Sequence, residues 1–252
     1  MWILEGRQSR KLYQFPHLAF SHITSELFEK IEKKRADLWR GVRFTYFADV
    51  ETLIIKLPTE AHESAHVTFG QSIYRVVVLM GLGLDEFWGL GATKYVGQAA
   101  SAKESDSSWK NKRIRPNKGD WPTLVIEAGM SESLPRLRSD ARWWIEHSNG
   151  RVNIVLLIWL HPTIKKIKIE KWEPGQAPTT RRSARPSQSN AFPTQTADIT
   201  IQSNSNAIVT GAPLCLEFLK IFERAAIQPT EHDIILTAQD LINWATMFWQ
   251  GL

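Results

Sequence analysis

Two apolar runs constrain this chain more than any other feature. Thr123-Leu124-Val125-Ile126 is uninterrupted and closes on an acid, Glu127; Val152–Leu160 is the second run. Short runs of this kind, without polar alternation, read as buried strands. Between them Leu134, Leu137, Ala141, Trp144 and Ile145 recur at helical spacing, which gives strand, amphipathic helix, strand. A carboxylate at the end of a buried strand is costly unless it is paired, protonated or held on a metal. Glu127 is therefore the first residue to question.

The rest of the chain supplies further elements around this unit. Residues 21–40 predict a helix, capped by Ser21 or Thr24, with Phe20, Ile23, Leu27, Ile31 and Leu38 on its apolar face. Arg43–Phe47 and Glu51–Leu57 read as a hairpin. Pro58-Thr59 opens a helix over residues 60–80, on which His62, His66, Phe69, Ile73, Val76, Val77 and Met80 follow the 3.6 period. Phe87–Val96, interrupted by glycine, predicts a strand with bends. Lys165–Trp172 alternates and predicts a half-exposed hairpin partner. Residues 174–195 are rich in Pro, Ser, Thr, Gln and Arg and predict a flexible insertion carrying Arg181, Arg182 and Arg185. Beyond it come a strand at Asp198–Gln202, an apolar helix at Leu214–Phe222 and a strand at Ile234–Leu236. A last helix starts at Thr237, with Asp240 placed for a capping box. This order predicts an α/β fold with a mixed central sheet. The chain has neither the glycine fingerprint of a dinucleotide fold nor a phosphate-binding P-loop.

Composition narrows the class. With 252 residues, 43% hydrophobic and 23% charged, the chain can bury a core without metal or disulfide staples. One cysteine, Cys215, rules out an internal disulfide framework and fits a reducing compartment. No apolar run reaches the ~18 residues of a membrane span. The N-terminus carries an early acid and no apolar h-region, so an intracellular protein, cytoplasmic or nuclear, is expected. Net charge is +5, and residues 103–118 hold six bases against two acids. That local excess is either a solvated loop or a nucleic-acid footprint formed by Lys110, Lys112, Arg113, Arg115 and Lys118.

Two motifs carry chemistry. Asp106 precedes Glu127 by 21 residues in a segment that reads as a hairpin. If its strand lies beside that of Glu127, both acids reach one point, and two carboxylates with a backbone carbonyl suit Mg²⁺ or Mn²⁺. The other motif is His62-Glu63-Ser64-Ala65-His66, an HExxH string. On a helix it sets two imidazoles one turn apart for Zn²⁺, with Glu63 as general base and Glu86 as a possible third ligand, the pattern of a metalloprotease. The plainer alternatives are a turn-capping Asp106, a Glu127 paired with Arg138 or Arg142, and histidines at the solvent end of an apolar stripe.

The acid pair brings a family into view. Glu104-Ser105-Asp106, Asp120–Glu127, Ser131-Glu132-Ser133-Leu134 and Asp140-Ala141-Arg142-Trp143-Trp144 resemble the PD-(D/E)XK restriction-endonuclease-like proteins. Within them the likeness is closer to uncharacterised fungal members that look like relatives of the bacterial Uma family, and it covers roughly residues 44–172. It implies a mixed sheet flanked by helices, a core over 44–173, a helical extension over 1–43, the insertion over 174–195, and a C-terminal strand and helices over 196–252. It also implies Mg²⁺-dependent hydrolysis of DNA, with Asp106, Glu127, the carbonyl of Ala128 and Glu63 as metal ligands. A homodimer is a further possibility. Gly129 stands where the family has its lysine, so Arg138, Arg142 or Lys103 would have to offset charge. Arginine stays protonated and cannot serve as a base.

Overall fold

The computed structural model describes residues 17–38, 41–130, 134–176, 191–203 and 207–252. In chain order the elements are β1 (His17–Phe20), α1 (Ser25–Leu38), β2 (Arg43–Phe47), β3 (Thr52–Lys56), α2 (Glu60–Leu79), β4 (Trp88–Gly89), β5 (Lys94–Val96), β6 (Ala102–Glu104) and β7 (Ser107–Lys110). Then follow β8 (Leu124–Met130), α3 (Leu134–His147), β9 (Ile154–His161), β10 (Lys166–Gly175), β11 (Phe192–Ser203), β12 (Ala207–Thr210), β13 (Leu214–Leu216), α4 (Phe218–Phe222), β14 (Ile234–Leu236) and α5 (Ala238–Gln250). They form two compact units. Of the described residues, one takes those up to Glu60 together with Lys94–Glu104; the other takes Ala61–Thr93 and those from Ser105 onward. Residues 44–60 and 94–104 thus cluster with the N-terminal segment rather than with the strands around Glu127.

The smaller unit is an antiparallel sheet in the order β1-β3-β2-β6-β5. Phe28 of α1 stacks on Tyr46 at 4.3 Å, and the Arg35 guanidinium lies 4.3 Å from the Phe44 ring. Arg35 also donates to Glu104 Oε2 at 2.8 Å, and the Phe44 amide donates to the same oxygen at 3.1 Å. Lys103 is buried on β6 and donates to Thr45 Oγ1. Thr24, not Ser21, caps α1 through the Leu27 amide.

The larger unit is a mixed α/β layer. Its seven-stranded sheet runs β12-β11-β10-β9-β8-β7-β4, with β8 and β9 parallel and every other pair antiparallel. The strand–helix–strand segment read from the sequence is β8-α3-β9, and such a helical crossover is what a parallel pair requires. Successive side chains point to opposite faces of a strand. Leu124, Ile126 and Ala128 of β8 therefore join α2, α4 and α5 in one core, with Phe69, Ile73, Trp244 and Phe248. Val125 and Glu127 turn to the other face, where α3 packs.

Several elements differ from the sequence reading. Phe87–Val96 is not one strand: β4 pairs with β7 and β5 with β6, in different sheets. Leu214–Phe222 is not one helix. Leu214 and Leu216 alternate inward on β13 against β14, and only Phe218–Phe222 is helical, its first amide held by Asp233 Oδ1 at 2.8 Å. Lys165–Trp172 was expected to be half exposed, but β10 is paired along both edges, and Glu170 and Lys171 are buried. The ends of the expected insertion are ordered as well: Pro174 faces Pro193 and Gly175 faces Phe192 across the β10–β11 ladder. Arg181, Arg182 and Arg185 lie outside the described residues. The Thr237–Asp240 capping box forms as the sequence predicts.

One ion pair ties the C-terminal segment down and sets an acid-sensitive bond. Arg224 holds Glu231 in a fork, with Nη2 to Oε1 at 2.8 Å, and also donates to Glu86 Oε1 at 2.8 Å. The Arg224 hydrogen bonds outweigh burial and lower the Glu231 carboxyl from 4.5 to about 2. A carboxylate depressed on folding stabilises above its unfolded value and loses that contribution as pH falls through the folded one. The penalty of Glu231→Gln in urea unfolding is therefore expected at pH 7, and it should shrink as pH drops from 4.5 to about 2. A penalty independent of pH over that range would refute this linkage.

Candidate metal centre

The site is built where β7, β8 and α2 meet. Gly70 makes this approach possible: a Cβ there would lie 2.7 Å from the Trp109 ring of β7. Trp109 also stacks on Phe87 at 5.4 Å. With the helix so close, Ser107 and Asp106 face its first two turns. His66 Nδ1 lies 2.7 Å from Ser107 Oγ, and His62 Nε2 lies 2.9 Å from Asp106 Oδ2. Both imidazoles are buried, so they are not at a solvent end of the apolar stripe. Glu63, 40% exposed, approaches both: its oxygens lie 3.8 Å from His62 Nδ1 and 3.2 Å from His66 Nε2.

Asp106 also closes the sheet. The ladder pairs Ser107 with Ile126, so Asp106 comes just before the paired stretch, beside Glu127 in register. The Ala128 amide donates to Asp106 Oδ2 at 2.8 Å. Asp106 is the bend that leads into β7, and β7 and β8 are neighbours in one sheet, as the sequence reading expects of the strands beside the two acids. Ser105 supports the loop, donating to Gly91 O at 2.9 Å. Glu127 is 1% exposed and takes the Trp144 indole N–H at 2.6 Å. Asp106 therefore engages α2 on one face of the sheet and Glu127 engages α3 on the other, so these contacts do not by themselves bring both carboxylates into the one cleft that the sequence reading expects. The sequence reading missed His62 and Ser107 as partners of the acid pair; the buried position of His62 on a helical stripe was the available signal.

Other expected roles meet competing partners. Arg138 does not pair with Glu127. It forks onto the fully buried Glu170 at 2.6 and 3.0 Å, and Trp172 Nε1 donates to the same carboxylate. Those hydrogen bonds raise the Arg138 pKa above its ordinary value against the pull of burial. Arg142 is exposed on α3. Glu86 is committed to Arg224, which removes it as a third zinc ligand.

The basic loop is largely neutralised within the chain. Lys110 is buried and donates to Asn117 O at 2.6 Å, and burial lowers its pKa. Arg113 pairs with Asp85 at 2.6 Å, which raises the arginine and lowers the acid. Arg115 pairs with Glu223 at 2.7 Å and also holds Trp121 O. Of the five bases, Lys112, Arg113 and Lys118 are exposed, Arg113 in its pair with Asp85 and Lys112 lying 4.3 Å from the Trp88 ring. No helix among the described residues is long and apolar enough to cross a membrane.

No family model and no curated protein sequence matches the chain. Among solved structures it is similar to a protein from Anabaena variabilis described as "a putative nuclease belonging to DUF820". The identity is 12% and the TM-score 0.42, over 80% of this chain and 90% of the other.

Proposed function

We propose that this chain is a PD-(D/E)XK-type nuclease that hydrolyses phosphodiester bonds in DNA with Mg²⁺ or Mn²⁺. The observation that carries the reading is the bond from the Ala128 amide to Asp106, which pins one acid at the ladder end beside Glu127. The element order agrees with the family's core: a hairpin bearing both acids, then α3, then a strand parallel to β8. Both carboxylates are buried, and an all-oxygen set suits a hard cation. Asp106, Glu127 and the Ala128 carbonyl would hold the ion. Glu63, which the resemblance would add to this set, lies against His62 and His66 instead. Bound there, Mg²⁺ would neutralise phosphate charge and lower the pKa of water. The Ala128 amide and His62 orient the Asp106 carboxyl. The Trp144 N–H steadies Glu127, and α3 keeps bulk water off that face.

A second reading is a relative that binds nucleic acid or a protein without cleaving. Gly129 in place of the lysine favours it, as does the commitment of Arg138 to Glu170. Incubation of supercoiled and single-stranded DNA with Mg²⁺ or Mn²⁺ tests the choice. The nuclease reading expects cleavage that EDTA stops and Asp106→Asn lacks; binding without cleavage would select the second.

DNA binding itself should have a shallow salt dependence. If Lys112 and Lys118 alone reach phosphates, log K against log salt has a slope of about −1.8, against about −4.5 if all five bases do. Fluorescence anisotropy across a salt series measures it. The steeper slope would mean that the ion pairs of Arg113 and Arg115 open on binding and that Lys110 leaves its buried bond to Asn117.

A further inference from the structure

Among the described residues, one trio of His, Cys, Asp or Glu side chains brings its donor atoms within 4.8 Å of one another: His62, Glu63 and His66. Helical spacing alone puts residues 62, 63 and 66 near each other. It does not orient their rings. Here each imidazole is fixed through one nitrogen and turned toward Glu63 with the other. His62 is held by Asp106 at Nε2 and faces Glu63 with Nδ1; His66 is held by Ser107 at Nδ1 and faces Glu63 with Nε2. A carboxylate or hydroxyl on the far nitrogen is how metal-ligating histidines are commonly positioned.

We infer that His62 Nδ1, His66 Nε2 and a Glu63 oxygen form a site for a divalent transition ion of the zinc class. Two imidazoles and one carboxylate prefer such ions to Mg²⁺, which keeps oxygen ligands and water. Bonds of about 2.0–2.1 Å in a tetrahedral set separate ligand atoms by about 3.4 Å. His66 Nε2 lies 3.2 Å from Glu63 Oε2 and His62 Nδ1 lies 3.8 Å from Glu63 Oε1, and one donor atom from each of the three residues falls within 4.8 Å of the others, so a small shift of the half-exposed Glu63 side chain closes the set around one ion. Burial of both rings excludes competing water. The exposed flank of Glu63 leaves a way in for the ion and a fourth position for water or a phosphate oxygen.

The site shares only Asp106 with the proposed carboxylate centre, as an orienting group rather than a ligand, and it stands without the nuclease reading. Its test is zinc titration of the full chain by calorimetry in excess Mg²⁺, with metal analysis after dialysis and the visible spectrum of the Co²⁺ form. Stoichiometric zinc that Mg²⁺ does not displace is expected. His66→Ala should abolish it, and Asp106→Asn should weaken it by about 10–100-fold. Glu63→Gln keeps the test valid if the buried variants fail to fold, because Glu63 is 40% exposed. It should weaken zinc binding with an unchanged circular dichroism spectrum. Glu127→Gln should bind zinc as the wild type does, whatever its effect on DNA. Failure to retain zinc, or retention undiminished in Glu63→Gln, would overturn the inference.

Discussion

Glu127→Gln is expected to lower Mg²⁺-dependent cleavage by at least about 100-fold, a loss of about 2.7 kcal/mol in transition-state stabilisation, while the fold is kept. Glutamine has the shape of glutamate, and its amide oxygen can still accept the Trp144 N–H. What it lacks is the charge that draws a hard cation into a buried site. The substitution also takes a charge out of a residue only 1% exposed, so thermal stability should hold or rise. Single-turnover cleavage and a melting curve on the same preparation separate the two effects. Full activity in the variant would remove Glu127 from the site.

Trp144→Ala should be the most destabilising single change on the α3 face, at about 3–5 kcal/mol in urea unfolding. Trp144 is fully buried and lies edge-on to Trp143 at 5.1 Å and to Trp121 at 6.1 Å, both interplanar angles being 86°. Truncation opens a cavity among these rings and removes the N–H that Glu127 accepts at 2.6 Å. Trp144→Phe refills most of the volume but not the donor, and should cost about 1–3 kcal/mol through the hydrogen bond to a buried carboxylate. A loss under about 1 kcal/mol for the alanine variant would contradict the packing described.

What the sequence made legible, and what it hid, follows the range of the interactions. The buried strands β8 and β9, the amphipathic α3 and the Thr237 cap are set by local pattern, and their periodicity is plain in the chain. The adjacency of Asp106 and Glu127 could be read from one hairpin. The partners of the charged residues could not. Arg138 meets Glu170 from 32 positions away, and Arg115 meets Glu223 from 108 positions away. Each guanidinium therefore looked available on its own helix or loop. The same holds for His62 and His66. Their motif is visible, but their burial depends on β7 arriving from 44 and 41 residues downstream with Asp106 and Ser107. β13 misled for the opposite reason: a short apolar segment has too few residues to tell period two from 3.6.

A divalent ion at the β7–β8 ladder end is what the nuclease reading requires. Anomalous diffraction from crystals grown with Mn²⁺ tests it most directly. A manganese peak bonded to a carboxylate oxygen of Asp106 and one of Glu127 is expected, at roughly 2.1–2.2 Å, the range of a hard cation on oxygen. Manganese bound only by His62, Glu63 and His66, or no peak touching either acid, would contradict it.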